Sequence, residues 1–165
     1  MRNIFIALIS ALLFLGCSSK GASDVNVKPK LVVGKSLENI GLKDQHEKAQ
    51  KIKDDTKLVI FAFSKDAAHT CNNFFETKKP TYLEENKAQF IADVSSAPSL
   101  IRSMFIMPGL KDMKHTVIII DDKDIAKPYK SGLDSEKIVL VKLDNHKILS
   151  VETITTAKEL ETNIE

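Results

Sequence analysis

Cysteine is scarce in this chain of 165 residues: Cys17 and Cys71 are the only two. No Cys/His cluster has metal-ligand spacing, so the sequence offers no zinc-type ligand set. A glycine-rich phosphate loop is missing, and so are a Ser-His-Asp order and a pair of catalytic acids. Nucleotide binding and the common hydrolase chemistries therefore have no signature. An excess of one charge is lacking too, with 24 Lys and Arg against 22 Asp and Glu. The lysines are spread as on a solvated surface, which gives no electrostatic case for nucleic acid. Nor is there a long hydrophobic run. The one apolar stretch, Ile4 to Phe14, is too short to span a bilayer comfortably.

What is there begins at that stretch. Arg2 supplies a charged start, Ile4 to Phe14 an apolar core, and Leu15-Gly16-Cys17 a small-residue cleavage site, so residues 1–16 read as an export signal. A cysteine directly after Leu-x-Gly resembles a bacterial lipoprotein signal. That resemblance implies cleavage before Cys17 and acyl chains of the palmitate kind on its thiol and new amine. The alternative is an ordinary signal peptide with a coincidental cysteine. Ser18 and Ser19 carry no acidic inner-membrane retention signal, which favours the outer over the inner membrane, facing the periplasm. Residues 17–30 are then the lipidated cysteine and a polar, flexible tether, and residues 31–165 are one domain with enough chain for a real core. If Cys17 is lipidated, Cys71 is the sole thiol in an oxidising compartment and no intramolecular disulfide can form.

The domain is organised around Leu58 to Phe63, apolar enough for a strand buried on both faces, which runs through a polar loop toward Cys71. Before it, Leu31 to Val33 and Ile40 to Leu42 read as two short extended pieces, Lys43 to Lys48 as a polar excursion and Lys53 to Thr56 as a turn. A helix is predicted from about Ala67 to Lys79, with Phe74 and Phe75 inward and Pro80 restarting the chain. A helical turn from Tyr82 to Lys87 leads to a strand from Ala88 to Val94. Ser99 to Met107 has apolar residues at Leu100, Ile101, Met104 and Phe105, the spacing of an amphipathic helix, and Pro108-Gly109 would end it. Thr116 to Ile120 reads as a central strand and Lys123 to Tyr129 as a helix limited by Pro128. Lys137 to Leu143 and Lys147 to Val151 form a hairpin about Asp144-Asn-His146. Thr156 and Glu159 make a capping box, and Ala157, Leu160 and Ile164 share one face of a closing helix.

Strand, helix, strand, helix, hairpin, helix is an α/β order, and residues 34–165 resemble the thioredoxin-like proteins, specifically the periplasmic redox thioredoxins and peroxiredoxins. The resemblance rests on Gly34 to Gln45, Leu58 to Phe63, and Val139 to Asn145 with Lys147-Ile148. It implies a three-layer fold with a central mixed β-sheet flanked by helices. Within that group the small YtfJ-type periplasmic proteins, which carry the fold without a dithiol, are similar. The functional residues implied by the resemblance mostly fail to carry over. Taking Cys71 as the second cysteine of Trp-Cys-x-x-Cys puts Ala67 at the Trp and Ala68 at the attacking cysteine. Copper-delivering relatives would want a first thiol where Ala67 sits. In the peroxiredoxin pattern Ser64 takes the place of the proline and Ala68 that of the threonine, and Glu136 stands where the facing cis-proline belongs.

Three sets of residues remain as candidates. Cys71, near a helix N-terminus with His69 two residues away, would be a thiolate nucleophile or else a structural thiol; alone it would form mixed disulfides or a sulfenic acid without resolving them. Met104, Met107, Met113 and His115 form a soft set suited to copper, or simply pack around Pro108. Asp121, Asp122 and Asp124 would suit a hard cation such as calcium, or serve as turn and cap residues. The first expectation is a membrane-anchored envelope lipoprotein with a redox-degenerate thioredoxin-like domain, without cofactor. It would act in binding or assembly through the lipid anchor and an envelope protein partner. A single-cysteine peroxidase or disulfide-handling protein using Cys71, and a copper-binding envelope protein, are the alternatives.

Overall fold

The computed structural model describes residues 27–37 and 41–165. The expected signal, Cys17, most of the tether and Ile40 lie outside the described residues. Seven strands form one sheet: β1 (Leu42–Asp44), β2 (Ala49–Gln50), β3 (Leu58–Ala62), β4 (Ala88–Asp93), β5 (Ile118–Ile120), β6 (Ile138–Asp144) and β7 (Lys147–Ile154), in the order β2-β1-β5-β4-β3-β6-β7. The β3/β4 and β4/β5 pairs are parallel and the others antiparallel. The sheet is mixed, as expected.

Period-two alternation divides the core. Leu58, Ile60 and Ala62 of β3 share one face with Phe90 of β4 and Leu140 of β6, whereas Val59 and Phe61 share the other with Ile91 and Val139. On the first face lie α1 (Lys65–Glu76), the short α2 (Tyr82–Glu85) and the closing α6 (Ala157–Ile164), inserting Phe74, Phe75, Leu83 and Leu160. The second face is covered by α5 (Lys123–Lys130) through Ala126 and Tyr129, together with Leu31 and Leu37. The result is three layers.

Several elements differ from the reading of the sequence, each for a local reason. Lys43 to Lys48 is not a loop excursion but most of the β1/β2 hairpin. It is specified by a side chain: Asp44 Oδ1 accepts from the His46 and Lys48 amides at 2.8 and 3.0 Å. Leu31 to Val33 forms no strand. It is a strap, held where Lys30 N–H donates to the Pro128 carbonyl and Gly34 N–H to that of Ile148, both at 2.8 Å. Helix α1 begins at Lys65 rather than Ala67, because Ser64 is its N-cap, and it stops at Glu76. Pro108-Gly109 does not end the next helix. Helix α3 (Ser99–Ile101) continues through a π-helical turn (Arg102–Ile106) into α4 (Met107–Lys111), so Pro108 lies inside a continuous helical segment, directly after the turn in which the Met107 amide donates to the Arg102 carbonyl. Pro128 lies inside α5. The β6/β7 hairpin is as expected, with Asn145 and His146 both left-handed (φ 45° and 64°) in a type I′-like tip. The Thr156/Glu159 capping box is also present.

Candidate functional site

At the corner between β3 and α1, Ser64 does two things. Its Oγ accepts from the Ala67 amide at 3.2 Å and donates to the Glu136 carbonyl at 3.4 Å, pinning the segment before β6 to the start of α1. Because Ser64 sets the helix start, Cys71 falls in the middle of α1 rather than near its N-terminus. It is completely buried, packed in the cluster that holds Ala67, Phe74 and Phe75. Burial pushes its thiol far above the ordinary range, since a thiolate there would have no solvent or counter-charge. His69 is exposed on the same helix. Residues two apart on a helix do not face each other, so His69 is not placed to deprotonate Cys71.

Beside Cys71, α1 also holds a buried polar group built with a distant loop. His115, 3 % exposed, sits between the rings of Phe75 and Phe90, with centroids 5.2 and 6.2 Å away. Its Nε2 is 3.0 Å from Asn72 Oδ1, and its Nδ1 lies 3.3 Å from Glu76 Oε1 without hydrogen-bond alignment. Burial lowers the imidazole pKa, and the Glu76 carboxylate only partly opposes this. Gln45 secures the same loop: its amide donates to the His115 carbonyl at 2.8 Å and accepts from the Val117 amide at 2.9 Å. The spacing of Asn72 and Glu76, four apart on one helix face, was the one sequence signal available.

The four soft-ligand candidates occupy different environments. Met104 is 59 % exposed, Met107 and Met113 pack half-buried against the first core, and His115 is committed to Asn72 and Glu76. The three aspartates have separate local roles. Asp122 Oδ1 caps α5 at 2.7 Å from the Asp124 amide, Asp124 pairs with Lys127, and the Asp121 carbonyl accepts from Arg102 Nη1 at 2.6 Å. Among the described residues no group of three or more His, Cys, Asp or Glu could hold a metal ion.

A groove of about 510 Å³ lies outside the carboxyl ends of β4 and β5. Val94, Ser99, Arg102, Met107, Asp121 and Ile125 contribute to its walls. In open α/β sheets this is where ligands are usually received. One wall is the α3–π–α4 rod, whose Leu100, Ile101, Met104 and Phe105 form the apolar stripe expected of an amphipathic helix. They point outward, 64, 42, 59 and 64 % exposed, while Ile106, Met107 and Leu110 pack on the core.

Comparison with known proteins bears on the fold. No family model matches the chain, and no curated protein matches it. Among solved structures it is similar to StoA from Bacillus subtilis, at 10 % identity over 80 % of this chain and 99 % of that one, with a TM-score of 0.54. It is also similar to the peroxidoxin BcpB from Mycobacterium tuberculosis, at 13 % identity over 83 % and 94 %, with a TM-score of 0.50. At such identities the likeness is one of architecture, and the architecture of this chain is thioredoxin-like.

Proposed function

We propose that this protein is a lipid-anchored component of the bacterial cell envelope whose thioredoxin-like domain binds a partner rather than turning over a thiol substrate. The observation that carries the reading is the position of Cys71. It is the only cysteine of the folded domain, and it is fully buried seven residues beyond the helix cap with its thiol held protonated. Thiol–disulfide exchange and peroxide reduction both need an accessible thiolate. The groove beyond β4 and β5 offers a binding surface at the usual place, and the Leu15-Gly16-Cys17 signal supplies the anchor. The expected partner is another envelope protein at the periplasmic face of the outer membrane.

The test has two arms. Mass spectrometry of the mature protein, alongside a Cys17→Ala variant, reads the anchor: acyl mass on Cys17 and loss of the variant from the membrane fraction are expected. Peroxide reduction and insulin-disulfide reduction, compared with Cys71→Ser, read the domain: no Cys71-dependent rate is expected. A rate abolished by Cys71→Ser would overturn the binding role.

A further inference from the structure

The fold does not account for the outward stripe of Leu100, Ile101, Met104 and Phe105. These four side chains leave on the order of 450 Å² of apolar surface in water, taking about 200 Å² for each large side chain. That is within the range of the largest apolar patch on a typical monomer, and such patches are often functional. The neighbouring faces of the rod are already occupied. Ile106, Met107 and Leu110 meet the core, and Ser99, Arg102 and Ser103 line the groove. Met104 and Phe105 of the stripe lie in a π-helical turn, a rare distortion that is frequent at functional sites.

We infer that this stripe docks on the bilayer surface, the rod lying in the interface with Leu100, Met104 and Phe105 inserted among the lipid head groups and upper acyl chains. The charge suits it: Ser99 to Lys111 carries Arg102 and Lys111 and no carboxylate, so the docking segment itself brings no acidic side chain to the interface. The reach is also right. Nine residues lie between Cys17 and Val27, ten steps along the chain that span at most about 35 Å. Val27 is fixed to the carboxyl end of α5, where its carbonyl accepts from Ser131 Oγ at 3.4 Å. Helix α5 is about 12 Å long, and its Ile125 shares the groove with Ser99 and Arg102. A lipid on Cys17 therefore leaves the stripe within reach of the membrane. A second copy is a poorer fit, because a stable dimer needs about 800 Å² from each partner. The geometric part of this inference rests on the proposed anchor; the stripe's affinity for lipid does not.

The chain has no tryptophan, so Phe105→Trp is a unique fluorescent reporter, with Leu149→Trp on the distant edge strand β7 as its control. Both are made in the full lipidated protein and in a Cys17→Ser background, and titrated with phosphatidylethanolamine–phosphatidylglycerol vesicles, with and without bromine-labelled acyl chains. The expected result is a blue-shifted, bromine-quenched emission for Phe105→Trp and no change for Leu149→Trp, in both backgrounds. Vesicle binding of the Cys17→Ser protein should fall at least about tenfold with Leu100→Gln/Met104→Gln/Phe105→Gln. An emission unaffected by vesicles overturns the inference and leaves the stripe for a protein partner. A blue shift without vesicles that rises with protein concentration overturns it in favour of self-association. If Cys17 carries no acyl mass but the Cys17→Ser result stands, the anchor fails and the docking surface survives.

Discussion

Nε2 of His115 lies 3.0 Å from Oδ1 of Asn72, joining the loop before β5 to the middle of α1 inside the core. Glu76 approaches the other ring nitrogen, and Lys114 adds an opposing charge.

The pair makes stability depend on pH in a definite direction. The unfolded chain titrates this imidazole at its ordinary value of about 6.5, whereas burial lowers the folded value. Between the two, the unfolded state holds more protons, so stability is complete above about pH 6.5 and is lost as pH falls below it. Urea unfolding between about pH 7.5 and 5.5 should show a decline no steeper than about 1.4 kcal/mol per pH unit, the limit for one proton. His115→Gln should flatten that slope. An unchanged slope in the variant would remove His115 as its source.

Cys71 should behave as a core side chain. In the native protein its reaction with a disulfide dye should be at least about a hundredfold slower than in the urea-unfolded chain, because the sulfur must first be exposed. Cys71→Ser puts a hydroxyl into apolar packing and should cost about 1–3 kcal/mol in denaturant unfolding. Labelling at the unfolded rate would contradict the burial.

Gln45 is the other buried polar hinge of this region. Gln45→Leu keeps the volume but strands the His115 carbonyl and the Val117 amide together. Leaving two buried backbone groups unpaired should cost about 2–4 kcal/mol, read as a shift in the urea midpoint. A loss below about 0.5 kcal/mol would mean that water replaces both bonds.

The strands that build the centre of the sheet were legible from their apolar runs: Leu58–Ala62 is apolar throughout, and Phe90 to Ala92 form the centre of Ala88–Asp93, which is buried at every position, Gln89 and Asp93 included. The hairpin tip at Asn145-His146 was legible from turn chemistry, and α6 from its capping box. The β1/β2 hairpin was not, since its information sits in one carboxylate, Asp44, rather than in a pattern. Ser64, a residue type that caps helices but also fills loops, set the helix start two residues early, and the burial of Cys71 comes from lying on the face of α1 that packs with Ala67, Phe74 and Phe75 on the sheet. His115 was read beside three methionines because they are near in sequence; its partners, Asn72 and Glu76, come from an element some forty residues earlier. Spacing identified a stripe in Leu100, Ile101, Met104 and Phe105, but periodicity cannot say whether a stripe faces the core or the solvent.

That last ambiguity gives a prediction independent of any membrane. If the stripe faces out, replacing it with a polar residue of good helix propensity touches neither core packing nor backbone, so Leu100→Gln and Phe105→Gln should each change stability by no more than about 0.5 kcal/mol. On the opposite side of the same rod, Leu110 is 6 % exposed and packed in the first core, so Leu110→Ala should cost about 2–4 kcal/mol. Measured together by urea denaturation, the three variants read the rod's orientation from a contrast rather than from one value. A loss above about 2 kcal/mol for Phe105→Gln with little change for Leu110→Ala would mean the rod is turned about its axis, with the stripe inside. The expected pattern instead leaves Leu100 and Phe105 in water at no benefit to the fold, which makes their apolar character a property of what they contact outside it.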